Sequence, residues 1–178
     1  MENKQKIGYI GITDSNWYGF NKGKNHTEVV FWRKTAKIPL KNMSIGIPFF
    51  FLVKGTPRYI RGYGFVKLTG SDKVKDLWGK YGEEMGADSL SSVVSILKKK
   101  SNARAGYYIL ENVKYTDRRI DLNDLNIKFN RNTQPGRYFR KYEEEDIRKL
   151  LSFFGDESKY RPIKIEDSFQ RKKHSKKE

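Results

Sequence analysis

A chain of 178 residues has the length of one ordinary domain with room for a tail. Hydrophobic residues make up 37% and aromatics 14%, enough to build a core, which excludes a disordered chain. The formal net charge of +16 points to a polyanionic partner, while the absence of cysteine excludes disulfides and thiolate metal sites and the two histidines, His26 and His174, exclude a multi-histidine centre.

The first ten residues, MENKQKIGYI, hold no apolar stretch of the kind a secretion signal needs. Residues 7–13 (IGYIGIT) read as a strand, rich in β-branched side chains. Residues 14–25 (DSNWYGFNKGKN) read as a loop of turn formers that nevertheless holds Trp17, Tyr18 and Phe20. A second strand follows at 28–33 (EVVFWR). The longest apolar run, 45–53, is broken by Gly46 and Pro48 and is far short of a membrane span. Within it, PFFFLVK (48–54) suits a strand buried on both faces. Residues 59–68 (YIRGYGFVKL) form the next strand, with glycines that suggest a bulge.

The period then changes. Val74, Leu77, Trp78 and Tyr81 recur at helical spacing, with Ser71 or Asp72 as N-cap and Gly82 as stop. Leu90, Val93, Val94 and Leu97 repeat the spacing after Asp88 and Ser89. Residues 105–115 (AGYYILENVKY) return to strand, and 127–129 suggest a short further one. Ile147, Leu150, Leu151 and Phe154 mark a third helix, led by acids at 143–146 and ended by Gly155. From residue 159 onward the chain carries 8 basic against 3 acidic residues and reads as a basic tail or linker. The division is therefore 1–158 as the folded domain and 159–178 as the tail, in a soluble, cytoplasmic protein with no membrane partner.

Catalytic motifs are scarce. No GxxxxGK(S/T) loop is present, and Gly62-Tyr63-Gly64 lacks the rest of a dinucleotide site. Glu111 and Lys114 fit a carboxylate-x-x-Lys pattern that a Lys-rich chain produces by chance. His26 and His174 both sit in polar, basic stretches. The expectation is a chain with no catalytic centre, no cofactor and no metal.

What the sequence does offer is aromatic residues beside basic ones. Aromatic faces stack on bases while Lys and Arg take phosphates, and an extruded base also needs a polar group for its edge. The candidate walls are Trp17, Tyr18, Trp32, Tyr63 and Tyr138, with Asp14, Asn16 and Gln134 for the base edge. Lys22, Lys24, Arg33, Arg61 and Arg137 are the candidates for phosphate. Tyr59, Arg61 and Tyr63 alternate and should share one strand face. Blander readings stand beside these: Trp78, Tyr81 and 49–51 suit the core, Trp32 and Tyr63 suit core or pocket, and Arg137 and Tyr138 suit a turn anchor.

The order of these segments resembles the N-terminal, PUA-like (EVE-type) reader domain of modification-dependent restriction endonucleases, especially those with an HNH nuclease domain. The resemblance is carried by EVVFWR, GIPFFFLVK (46–54), YIRGYGFV (59–66), LWGKYGEEMGADSLSSVV (77–94) and GYYILENV (106–113), and loosely by NTQPGRY (132–138). It implies an α+β fold, a small curved PUA-like β-barrel flanked by about three helices, in a superfamily that includes YTH, ASCH and SRA domains. It further implies a pocket for a flipped base drawing on Asp14, Trp17, Trp32, Gln134 and Tyr138. The function then expected is a specificity module for double-stranded DNA carrying a modified base, chiefly a modified cytosine, with a fused or associated nuclease domain as partner. Two alternatives stay open: an RNA-binding PUA or YTH-type module, and an ASCH-type amidohydrolase acting on a modified nucleoside. The latter needs a lysine beside a carboxylate and a hydroxyl, a trio that the sequence alone does not assign.

Overall fold

Six strands form a single curled sheet in the computed structural model, which describes residues 5–37, 45–129 and 136–161. In chain order they are β1 (Lys6–Thr13), β2 (Val29–Trp32), β3 (Pro48–Val53), β4 (Tyr59–Lys73), β5 (Arg104–Ile120) and β6 (Gly136–Arg140). The sheet order is β2-β5-β4-β3-β1-β6. The β1–β3 pair is parallel, and every other pair is antiparallel.

β3 explains why the sheet has a core on each face. All six of its residues are buried. With a side-chain period of two, Phe49, Phe51 and Val53 enter one cluster and Phe50 and Leu52 the other. The first cluster also holds Tyr9, Tyr108 and Leu110, and is covered by Trp17 and Tyr18 of α1 (Ser15–Gly23). The second holds Ile10, Ile60, Tyr63 and Phe139, and is covered by Ile147, Leu150 and Leu151 of α4 (Glu144–Ser152). A third cluster lies beneath α2 (Val74–Tyr81) and α3 (Leu90–Leu97), where Leu77, Met85, Val93 and Leu97 meet Val30, Tyr107 and Ile109. Trp78 and Tyr81 pack against this cluster while partly exposed.

Several local details depart from the sequence reading. Residues 14–25 are mainly helix, because the Asp14 carboxylate accepts the backbone N–H groups of Asn16 (2.9 Å) and Trp17 (3.0 Å) and starts α1. Ser71 and Asp72 belong to β4, and Lys73 precedes α2 without a side-chain cap. No strand forms at 127–129; Ile127 is instead buried at the end of a turn. By contrast, Ser89 caps α3 by accepting the Ser92 N–H at 3.2 Å. The acids Glu144, Glu145 and Asp146 occupy the first turn of α4.

The glycine-rich part of β4 is bulged, with register shifts between Ile60 and Gly62 and again between Tyr63 and Phe65. An extra residue there reverses the alternation. Tyr59 and Arg61 stay on one side, whereas Ile60 and Tyr63 both enter the α4-side core. The shared face expected for Tyr59, Arg61 and Tyr63 is therefore broken after Arg61.

Candidate nucleic-acid interface

β1, β3, β4 and β5 all reach one end of the sheet, where chain ends and turns gather cations. Lys54 follows β3, Tyr59 and Arg61 open β4, Arg119 comes near the end of β5, and Ser15 begins α1. Together with Tyr18, Thr56 and Pro57 they line a cleft of about 450 Å³, within the range of small-molecule sites. No carboxylate lines it among the described residues. Lys54, Arg61 and Arg119 form no ion pair among the described residues, although the Asp117 carboxylate, paired with Lys22, lies close enough to feel the charge of Arg61.

Tyr18 forms the back of this cleft. Its hydroxyl donates to the Arg61 carbonyl at 2.8 Å, with the Thr116 carbonyl at 3.2 Å as a second acceptor. Burial pushes that hydroxyl up to about 12, against the opposing charge of Arg61. The Tyr115 ring meets Tyr18 edge-on at 5.7 Å. Tyr59 is half-buried and carries the Arg61 guanidinium 5.9 Å from its ring centre.

The opposite end of the same face is built differently. Tyr9 of β1, Tyr108 of β5 and Tyr138 of β6 converge there, with ring centres 4.8 Å (Tyr9–Tyr138) and 6.2 Å (Tyr9–Tyr108) apart. Arg33, half-buried just after β2, places its charge against all three phenols. Lys6 holds its ammonium 4.0 Å from the Tyr138 ring centre.

The residues singled out from sequence thus separate into groups. Tyr18 and Arg61 meet in the cleft, and Arg33 and Tyr138 meet at the far end. Asp14 lies at the mouth of α1, where one oxygen of its carboxylate, Oδ1, caps the helix by accepting the N–H groups of both Asn16 and Trp17. Trp17 is not a pocket wall. It is 3% exposed, lies edge-on to Phe31 and Phe51, each at 5.3 Å, and donates its indole N–H to the Val30 carbonyl at 3.0 Å. Trp32 is half-buried and donates its indole N–H to Met85 at 2.9 Å, a packing role. Tyr63 is sealed in the α4-side core. Gln134 lies outside the described residues.

Among the phosphate candidates, Lys22 pairs with Asp117 and Lys24 with Glu83 at 3.7 Å. Arg137 is not a phosphate ligand: it pairs with Glu143, its side chain is 19% exposed, and its guanidinium lies 4.8 Å over the Phe139 ring. The sequence reading missed Lys54, Arg119, Tyr9 and Tyr108. Their signal was positional, since Lys54 and Arg119 are the cations that end long strand runs.

One more constellation stands out. Asp156, 3% exposed, accepts the Tyr63 hydroxyl at 2.5 Å and the Lys114 ammonium at 2.7 Å, with Lys159 at 3.2 Å. Burial drives its carboxyl upward, but the hydrogen bonds from Lys114, Tyr63 and Lys159 outweigh it and hold the group below the usual carboxylate value. Among the described residues, no group of three or more His, Asp or Glu side chains could hold a metal ion. No helix of the described residues is long and apolar enough to cross a membrane.

No family model and no curated protein matches the sequence. In three dimensions the chain is similar to the crystal structure of ASCH from Zymomonas mobilis, with a TM-score of 0.59 and 17% identity over 81% of this chain and 95% of that one. It is equally similar to a tyrosine-to-phenylalanine variant of that protein, with a TM-score of 0.58 and 18% identity over 82% of this chain and 99% of that one. A serine-to-alanine variant matches with a TM-score of 0.59 and 17% identity, over 82% and 97% respectively. The curled six-stranded sheet, with helices packed on both faces, is thus the PUA-like fold of ASCH domains.

Proposed function

We propose that the chain is a DNA-binding specificity module that recognises a modified base, chiefly a modified cytosine, and that the cationic cleft holds the extruded nucleotide. The observation that carries this reading is the cleft itself: tyrosine walls and three cations with neither an ion pair nor a lining carboxylate among the described residues, in a chain of net charge +16. Tyr59 offers a ring face for stacking, worth about 1–3 kcal/mol per base. Lys54, Arg61 and Arg119 take the flanking phosphates, and each contact releases about one condensed counterion. A flipped nucleotide costs a few kcal/mol of unstacking, least where the base pair is already weakened. The resemblance of the strand and helix segments to EVE-type readers of restriction systems supports a modified base as the target and a fused or associated nuclease as the partner that acts on it. In this reading the chain itself carries no catalysis.

Titration of matched duplex DNA, single-stranded DNA and RNA tests the proposal, each with and without 5-methyl-, 5-hydroxymethyl-, glucosylated-hydroxymethyl- or N4-methylcytosine and N6-methyladenine. Tighter binding of one modified duplex is expected. Arg61→Ala should flatten the dependence of log K on log salt by about one ion on every sequence, whereas Tyr59→Ala should reduce discrimination between modified and plain DNA. RNA preference irrespective of modification would replace the proposal with an RNA-binding module.

A second reading, a nucleoside amidohydrolase, has one observation in its favour: Lys114, Asp156 and Tyr63 bring together a lysine, a carboxylate and a hydroxyl. Tyr63, however, is fully buried, and both oxygens of Asp156 are engaged by donors of the fold. We read the trio as a clamp that fixes the turn after α4 to β4 and β5. Product release from an acylated cytidine, abolished by Lys114→Ala, would establish the hydrolase instead.

A further inference from the structure

The far end of the α1-covered face has features that packing does not explain. Tyr108 is 1% exposed, and its hydroxyl has no hydrogen-bond partner of ordinary geometry. Buried hydroxyls are almost always satisfied, because an unmet one costs the fold. The Tyr9 hydroxyl and the Arg33 guanidinium are its hydrogen-bonding neighbours, although neither reaches ordinary hydrogen-bond geometry. Arg33 is itself half-buried and forms no ion pair among the described residues. A guanidinium has five donors and no acceptor, and the phenol oxygens beside it can accept only some of them.

Backbone geometry keeps these groups together. A Cβ on Gly136 would lie 1.8 Å from the Tyr9 hydroxyl oxygen, so only glycine lets β6 close onto Tyr9 there. Tyr138, half-buried, forms the outer wall with Lys6 above its ring. The charges that act on the three phenols include Arg33 and Arg140, and no carboxylate is among them.

We infer that Tyr9, Tyr108, Tyr138 and Arg33 form a second ligand site, which takes an acceptor oxygen of a nucleotide, either a phosphate or a base carbonyl. The site rests on the nucleic-acid reading above and deepens it: one end of the sheet face grips the strand, and the other reads an oxygen. Arg33 carries more N–H donors than the phenol oxygens beside it can accept, and a ligand oxygen is the group that would meet both Arg33 and the Tyr108 hydroxyl.

Tyr108→Phe tests this in the full chain, with inorganic phosphate and thymidine as probes in calorimetric titrations and Arg61→Ala as the control for binding in the cleft. Loss of one hydrogen bond to the ligand should weaken the responding probe roughly five- to tenfold while the melting temperature holds or rises, because an unmet buried hydroxyl has been removed. A response to phosphate assigns the oxygen to the backbone, and a response to thymidine assigns it to the base; either supports the site. A lower melting temperature in Tyr108→Phe overturns it, since the hydroxyl then has a partner within the fold. So does wild-type affinity for both probes, or no binding of either by the wild-type chain. Mixed-sequence single-stranded DNA separates the two ideas. Binding of that strand without a Tyr108-dependent probe response removes this site alone, whereas a chain that binds no nucleic acid removes the reading beneath it.

Discussion

Asp156 shows how much one buried carboxylate can organise. It joins Tyr63 from β4, Lys114 from β5 and Lys159 from the turn after α4. Its carboxyl is held below the ordinary value of 3.8, despite burial, by those three donors. A depressed carboxylate contributes stability that is complete above the unfolded value and disappears as pH falls through the folded one. Urea midpoints measured between about pH 2 and pH 6 should therefore drop in the wild type below about pH 4, and Asp156→Asn should lose most of that dependence. Equal slopes for the two proteins would show that other groups govern acid unfolding. The roles of single residues were the least legible part of the sequence. Trp17 stands among polar neighbours in the chain, yet its burial is decided by Phe31 and Phe51, which lie on other elements. Nothing local to residue 17 carries that information.

At the scale of elements, hydrophobic period was a good guide wherever one face is apolar. β1, β2 and β3, and the helices α2, α3 and α4, lie where alternation or helical spacing put them. β4 and β5 run further than expected, to Lys73 and Ile120, because the polar end of each is held by backbone pairing to the start of the other rather than by burial of its own side chains. α1 escaped notice because Asn16, Gly19, Asn21 and Gly23 favour turns. β6 escaped because it begins at a glycine within a turn-like run and is held by pairing to β1. Gly86 illustrates the tight coupling of elements. Its φ is +85°, and a Cβ there would come within 2.1 Å of the Trp17 ring. Gly86→Ala combines a disfavoured backbone with a clash, and should destabilise the fold by about 2–4 kcal/mol in denaturant titrations. A cost below about 0.5 kcal/mol, the level of an ordinary surface change, would mean that the short 3₁₀ turn before it shifts freely away from α1.

For the molecule as a whole, the fold class was legible because strands on both sides of a helical insertion admit few arrangements. The position of the binding surface was not, because it depends on which strand ends the curled sheet brings together. β1 runs from the tyrosine cluster at Tyr9 to the cleft at Thr13, four residues apart. At a rise of about 3.3 Å per residue that is about 13 Å. Groups so far apart, with no shared partner, contribute independently to within about 0.5 kcal/mol. A double-mutant cycle on DNA affinity with Arg61→Ala and Tyr108→Phe should thus return a near-zero coupling energy. One strand would then act as a ruler, fixing the span that any ligand engaging both ends must have. A mononucleotide would satisfy one end at a time, and an oligonucleotide long enough to bridge them would gain avidity from the rigid spacing alone.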